Sequence, residues 1–274
     1  FAGPPPDAEL LVRWIEQGVT MPRFTIHSWN DDGSATEPWS HPEVVPLVRR
    51  LMRLRTALVP YLATLQHAAC ARGEPITRPL VYAFQDWRPG WRESFVHMLG
   101  PALLVAPVLE PGARTRRALL PPGAWLELGT GRVWQGDAWA DLEAPLGRPV
   151  LLLREGHALP LADEVADGDA LPAWLVGGPG VAPPPIVWLA FANAAGEARG
   201  ALVWDDGVSR AFERGAVDRS ALGVATEGGV FTASLRVDEA SGCSVGPQRV
   251  LVPGGAERVP WFESRWEAVA VRRG

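Results

Sequence analysis

Two hydrophobic periods divide this chain of 274 residues, and the switch between them near Thr77 constrains its fold more than any other feature. Before the switch the pattern is helical. Asp7 follows a proline run and is placed to cap a helix whose Leu10, Leu11, Trp14 and Ile15 share one face, with Gly18 as the stop signal. Val19 to Ile26 suits a buried strand ending at His27, and a polar turn runs from Ser28 to Ser34. A second helix opens with the capping-box spacing Ser40-x-x-Glu43, with Pro42 in its first turn. Its apolar period runs from Val44 to Leu65, Arg49, Arg50, Arg53 and Arg55 form a solvated face, and Gly73 ends it. Helix, strand, helix is the rhythm of an α/β barrel.

After Thr77 the apolar runs shorten to strand length, at Leu80–Phe84, Ala102–Val108, Ala118–Leu120 and Val150–Leu153. Turns such as Glu110-Pro111-Gly112 and Pro121-Pro122-Gly123 separate them, which is an all-β pattern. Ala162 to Pro185 is rich in Gly, Pro, Asp and Ala and reads as a linker. Further strands are expected near Ile186–Phe191, Gly200–Trp204, Gly229–Val237 and Arg249–Val252. The length suffices for a barrel piece and two sandwiches. A net charge of −5 from mixed signs offers no basic stripe for nucleic acid. No apolar run reaches the ~18–20 residues of a membrane helix, so the chain reads as soluble, with its compartment open. Cys70 and Cys243 fall in different segments, which argues against a disulfide framework or a thiolate metal site.

Three stretches together resemble glycoside hydrolase family 31. The first holds F-A-G-P-x-P-x-x-E-L-x-x-R-W-x-x-x-G from Phe1, P-R-F-x-x-H-S around His27, and T-E-P-W ending at Trp39. The second is L-R-x-x-L-x-P-Y-L-x-T-L from Leu54, followed by Ile76-Thr77-Arg78-Pro79-Leu80 and by Met98-Leu99-Gly100-Pro101-Ala102-Leu103-Leu104-Val105-Ala106-Pro107-Val108. The third is Val203-Trp204-Asp205-Asp206-Gly207-Val208-Ser209. The resemblance implies the end of a (β/α)8 barrel followed by two all-β sandwich domains. Residues 1–76 would close the barrel, 77–163 would form a proximal sandwich, 164–185 a linker and 186–274 a distal sandwich. Departures from the family pattern include Thr25 where Arg is frequent, Thr56 and Ala63 at aromatic positions, and Trp204 at an acidic one.

By the same resemblance the parent protein is a retaining α-glycosidase cleaving terminal α-glucosidic or α-xylosidic bonds. Its nucleophile and acid/base aspartates would lie upstream, so this chain supplies no catalytic residue and is inactive alone. His27, ending the eighth strand, would hydrogen-bond the sugar in the −1 subsite, since a neutral imidazole both donates and accepts. Phe1 would line that subsite. No cofactor or metal is implied. The partners are an α-glycoside or oligosaccharide and the N-terminal remainder of the same chain, without nucleic acid or membrane. Read from the residues alone, His27 is better taken as a satisfied histidine at a strand end, and only the resemblance turns it toward the sugar. Asp31-Asp32-Gly33 and Asp205-Asp206-Gly207 read as turns, and the second as that of a hairpin. His41, His67, His97 and His157 read as scattered structural residues, Trp39 as packing at the helix entry, and most of the thirteen Trp as packing. Two other functions fit: a non-catalytic carbohydrate-binding or structural sandwich module, and a transglycosylase on the same scaffold.

Overall fold

The computed structural model describes residues 2–163, 172–176, 181, 183–238, 247–259, 262 and 264–273. Most of the expected linker, and Cys243, fall outside these residues. The chain divides into two compact units, residues 1–55 with 77–152, and 56–76 with 153–274.

In the first unit, β1 (Ala2–Gly3) leads to α1 (Ala8–Gly18). The Asp7 carboxylate accepts the Leu10 amide at 2.7 Å, the cap that the sequence announces. Leu11, Val12 and Ile15 are fully buried, while Leu10 and Trp14 are about half exposed, so the inward face is rotated from the expected one. Gly18 does not stop the helix through a left-handed turn. It lets the Phe24 ring approach: a Cβ there would sit 2.2 Å from ring carbons.

The expected strand over Val19–Ile26 does not form. Residues 19–28 are turn and loop, and only β2 (Trp29–Asn30) is strand, parallel to β1 in the register Ala2 with Trp29 and Gly3 with Asn30. A strand needs a ladder to take up its carbonyls. Here the carbonyls of Val19, Met21 and Pro22 accept instead from the Arg55 guanidinium, at 3.1, 2.5 and 3.0 Å. Arg55 is therefore no solvated charge, and burial lowers its pKa from the usual arginine value.

The second helix, α2, spans Val45–Arg72 after a 3₁₀ turn at Pro42–Val44. The expected capping box is absent. The Ser40 hydroxyl instead accepts the Glu37 amide at 2.9 Å, and His41 occupies the cap position without a side-chain cap bond. Val45–Arg55 of α2 belongs to the first unit and Thr56–Arg72 to the second.

The rest of the first unit is sheet, built from β3 (Thr77–Pro79), β4 (His97–Leu99), β5 (Leu103–Val105), β6 (Thr115–Leu120), β7 (Ala124–Glu127), β8 (Val133–Gln135), β9 (Ala138–Glu143) and β10 (Leu151–Arg154). Six strands follow the order β3-β4-β5-β10-β7-β8, and β6 with β9 makes a separate ribbon. One core joins them: Met98, Leu104, Trp125 and Leu152 from the sheet pack with Ala118, Leu120, Ala140 and Leu142 from the ribbon. Leu80–Phe84, expected as a strand, is instead a helical turn, α3 (Leu80–Ala83). Pro79 occupies its cap position and ends the ladder just before it.

In the second unit β11 (His157–Ala162), β12 (Ile186–Phe191), β13 (Ala198–Trp204), β14 (Asp218–Glu227), β15 (Val230–Asp238), β16 (Gln248–Arg258), β17 (Arg265–Val269) and β18 (Val271–Arg273) form one sheet in the order β17-β16-β12-β11-β13-β14-β15-β18. A short helix, α4 (Ala173–Val176), lies in sequence between β11 and β12. The two outermost strands, β17 and β18, are separated in sequence by Ala270 alone, so the sheet curls until its edges meet. Its core is Trp188, Leu202, Leu222, Val224, Leu235, Val250 and Val252. Gly200 is required by close approach, because a Cβ would meet the Ala158 carbonyl and the Trp188 ring at 2.6 Å. A polar chain runs through this interior: the Trp188 indole donates to Gln248 Oε1 at 2.8 Å and Gln248 Nε2 donates to the Ser220 hydroxyl at 3.1 Å.

Candidate functional site

Of the two residues expected at the substrate, Phe1 falls outside the described residues. His27 lies in the loop before β2 and is exposed; it precedes a short ladder rather than ending a barrel strand. What fixes this loop is Asn30, which the sequence reading passed over. Asn30 is 6% exposed, and its amide donates to the Ser34 and Thr36 hydroxyls at 3.0 and 3.1 Å. Its Oδ1 accepts from the Ser28 and Thr36 hydroxyls, both at 3.3 Å, and the Thr36 amide donates to Ser28 Oγ at 2.6 Å. Asp31 N–H donates to the Gly3 carbonyl at 2.8 Å, extending the β1–β2 pairing. The loop is thus knotted about one buried amide. Buried polar groups left unmatched are costly, so a fully satisfied knot selects one loop conformation. A buried Asn within a Ser-x-Asn-x-x-x-Ser-x-Thr spacing was the signal for it.

Neighbouring groups sort by their partners. The Asp32 carboxylate accepts the Ser34 hydroxyl and amide at 2.6 and 2.9 Å, and these bonds lower its pKa. Trp29 is 78% exposed beside His27. Trp39, expected as helix-entry packing, is 66% exposed and packs little. His41 Nε2 bonds the Pro6 carbonyl at 2.9 Å. His97 and His157 each bond a carbonyl two residues back through Nδ1, Phe95 at 3.3 Å and Glu155 at 2.8 Å, and burial lowers the pKa of both rings. Neutral, backbone-bonded rings of this kind are structural. His67 differs, since its Nε2 lies 3.1 Å from Asp205 Oδ2. Asp205-Asp206-Gly207 opens a long loop between β13 and β14 rather than a tight hairpin turn.

Residues 1–65 match the family description "Glycosyl hydrolases family 31 TIM-barrel domain", and residues 73–159 match "Glycosyl hydrolase family 31 C-terminal domain". The chain belongs to glycosyl hydrolase family 31. Among relatives, the lysosomal alpha-glucosidase of Mus musculus is 35% identical over 235 residues, which is 76% of this chain and 23% of that protein. The 1,3-alpha-isomaltosidase of Kribbella flavida is 38% identical over 147 residues, half of this chain and 20% of that enzyme. A family 31 dextranase of Flavobacterium johnsoniae, solved with glucose, superposes with a TM-score of 0.77 at 25% identity, covering 90% of this chain and 30% of the dextranase. The family 31 alpha-xylosidase of Xanthomonas citri does so at 0.74, also 25% identical, over 95% of this chain and 27% of that enzyme. The chain therefore spans roughly a quarter of the relatives it matches. No helix among the described residues is long and apolar enough to cross a membrane.

Proposed function

We propose that this chain is the C-terminal part of a retaining α-glycosidase acting on terminal α-glucosidic or α-xylosidic bonds, and that it holds the end of the catalytic barrel and two β-sandwich domains. The observation that carries the reading is the succession, in one chain, of matches to the barrel and C-terminal domains of one glycosidase family. In such enzymes one carboxylate attacks the anomeric carbon, and a carboxylic acid protonates the leaving oxygen and later deprotonates water. Both groups belong to the N-terminal remainder, so the 274-residue chain is inactive by itself. Its contribution is positional. His27 donates to or accepts from a hydroxyl of the sugar whose bond is cleaved, and Phe1 lines the same subsite. The Asn30 knot and the Arg55 clamp hold the loop that presents His27, because a hydrogen-bonding group works only where its geometry is fixed before the substrate arrives.

The test is turnover of aryl α-glucosides and aryl α-xylosides, by this chain and by the full-length protein. The reading requires no turnover from the isolated chain. It also requires turnover from the whole protein, with the first-formed sugar in the α-configuration by proton NMR. A β-configured first product, or turnover by the isolated chain that survives repurification, overturns it.

A further inference from the structure

The second unit contains a pocket that the catalytic reading does not use. Its walls are Val59 and Ala63 from α2, Trp174 from α4, and Trp204, Asp205 and Asp206 where β13 gives way to the loop. Its volume is ≈ 150 Å³, about the room of five waters at the ~30 Å³ each occupies in the liquid.

The two indoles distinguish this pocket from ordinary packing. A buried Trp in a folded protein finds a partner for its N–H. Trp87, Trp125, Trp134, Trp188 and Trp266 all do so here, at 2.7 to 3.0 Å. Trp174 and Trp204 are half-buried and meet edge to face, their centroids 6.1 Å apart. Neither N–H has a partner among the described residues. The two carboxylates are held in place. Asp205 takes the Gly207 amide on Oδ1 at 2.9 Å, with His67 Nε2 3.1 Å from its Oδ2. His67 is itself braced edge-on by Phe212 at 6.0 Å. Asp206 Oδ1 accepts the Val208 and Ser209 amides at 3.1 and 2.9 Å.

We propose that this pocket binds one pyranose residue of an oligosaccharide, as an auxiliary sugar site that does not include His27. Each sugar hydroxyl both donates and accepts, and the pocket offers donors in the indole N–H groups and acceptors in the carboxylates. The apolar C–H face of a pyranose suits the indole rings and the Val59 and Ala63 side chains. A concave, mostly apolar wall with a few fixed polar groups is the form of a small-molecule site. Anionic ligands are repelled by the two aspartates. A cation would use ring faces and carboxylates and leave the indole N–H groups unused. The proposal does not depend on the role given to His27.

The experiment is calorimetric titration of the 274-residue chain with maltotriose, isomaltotriose and tetramethylammonium. It is repeated on Trp174→Ala, on Trp204→Phe, which keeps the ring packed on the core but removes the N–H, and on His27→Ala. Circular dichroism confirms that each variant is folded. The expected result is saturable trisaccharide binding, weakened about tenfold by Trp174→Ala and severalfold by Trp204→Phe. Three results overturn the proposal: no saturable sugar binding, binding equal in both Trp variants and the parent chain, or saturation by tetramethylammonium alone. Loss of binding in His27→Ala with both Trp variants unaffected would locate the sugar at the barrel loop instead, and would likewise refute it.

Discussion

Replacing Arg13 by Met should destabilise the first unit by about 4 kcal/mol, and by less in acid. Arg13 lies on α1 with its side chain 8% exposed; its Nη1 is 2.8 Å from Glu16 Oε2, and Glu16 is 6% exposed. Arg13 Nη2 donates to the carbonyls of Ala113 and Ala144 at 2.8 and 2.9 Å, while Glu16 Oε1 accepts the Gly147 amide at 2.6 Å. One ion pair thus staples α1 to two loops of the sheet-forming region. Removing one partner of a buried pair strands the other's charge, at roughly 3–5 kcal/mol. Burial already pushes the Glu16 pKa above the ordinary carboxylate value, with Arg13 pulling it part of the way back. The sign follows from linkage. With the folded pKa raised, the stability linked to this group is fully present below about pH 4.5 and is lost as pH rises through the folded value. Without Arg13 the folded pKa climbs further, so the variant recovers stability over a wider span on acidification. Urea unfolding at pH 8 and pH 5, with hydrogen exchange at the Leu11–Ile15 amides, reads both effects. Arg13→Met combined with Glu16→Met should cost only about 1–2 kcal/mol, since the stranded charge is gone and only backbone partners are lost. A single variant within 1 kcal/mol of the parent at pH 8, or a double variant worse than the single, would refute the reasoning.

In the full-length protein His27→Ala should lower kcat/KM on the order of 100-fold, roughly 2.7 kcal/mol, with little change in Tm; kinetics within threefold of the parent would remove His27 from the site. Asn30→Ala should leave the Ser28, Ser34 and Thr36 hydroxyls without their common partner, costing about 1–3 kcal/mol. Faster proteolysis within residues 28–36 checks this. Arg55→Met should free the carbonyls of Val19, Met21 and Pro22 and speed hydrogen exchange in the loop leading to His27, while leaving the α1 amides protected. Gly18→Ala should cost roughly 1–3 kcal/mol through the clash with Phe24. Most of that should return in the double variant with Phe24→Ala, measured by urea unfolding.

Where one physical cause governs an element, the residues announced it. Asp7 caps α1 as its position implies, and Ile186–Phe191 is a strand over the expected residues because all but the last of them are buried and uniformly apolar. Elements whose form depends on distant partners did not show. Asp218–Glu227 hides its alternation, since its inward face begins with the buried polar residues Asp218 and Ser220. Leu80–Phe84 has the apolar content of a strand, but Pro79 closes the ladder just before it. At the loop carrying His27, the family motif drew attention to the imidazole. The groups that hold the loop, Asn30 and Arg55, looked from the sequence like a turn residue and a surface charge. Their roles come from carbonyls and hydroxyls that no periodicity brings into view. The same holds for the half-buried Trp174 and Trp204, whose N–H groups have no partner among the described residues.

The curl of the second sheet also sets an order of assembly. On its outer side β15 is covered by β18, in the register Ala233 with Val271 and Leu235 with Arg273, and β18 follows β16 and β17 in the chain. During synthesis β15 therefore emerges with one row of amides and carbonyls open, and keeps it open until two longer strands have been made and placed. An open strand edge templates pairing with whatever extended segment is near, including the same strand of a neighbouring nascent chain. Three residues at 271–273 act as the latch on this sheet. A chain shortened before Val271 would retain nearly all of its buried core and lose its protection against sticking to its own copies.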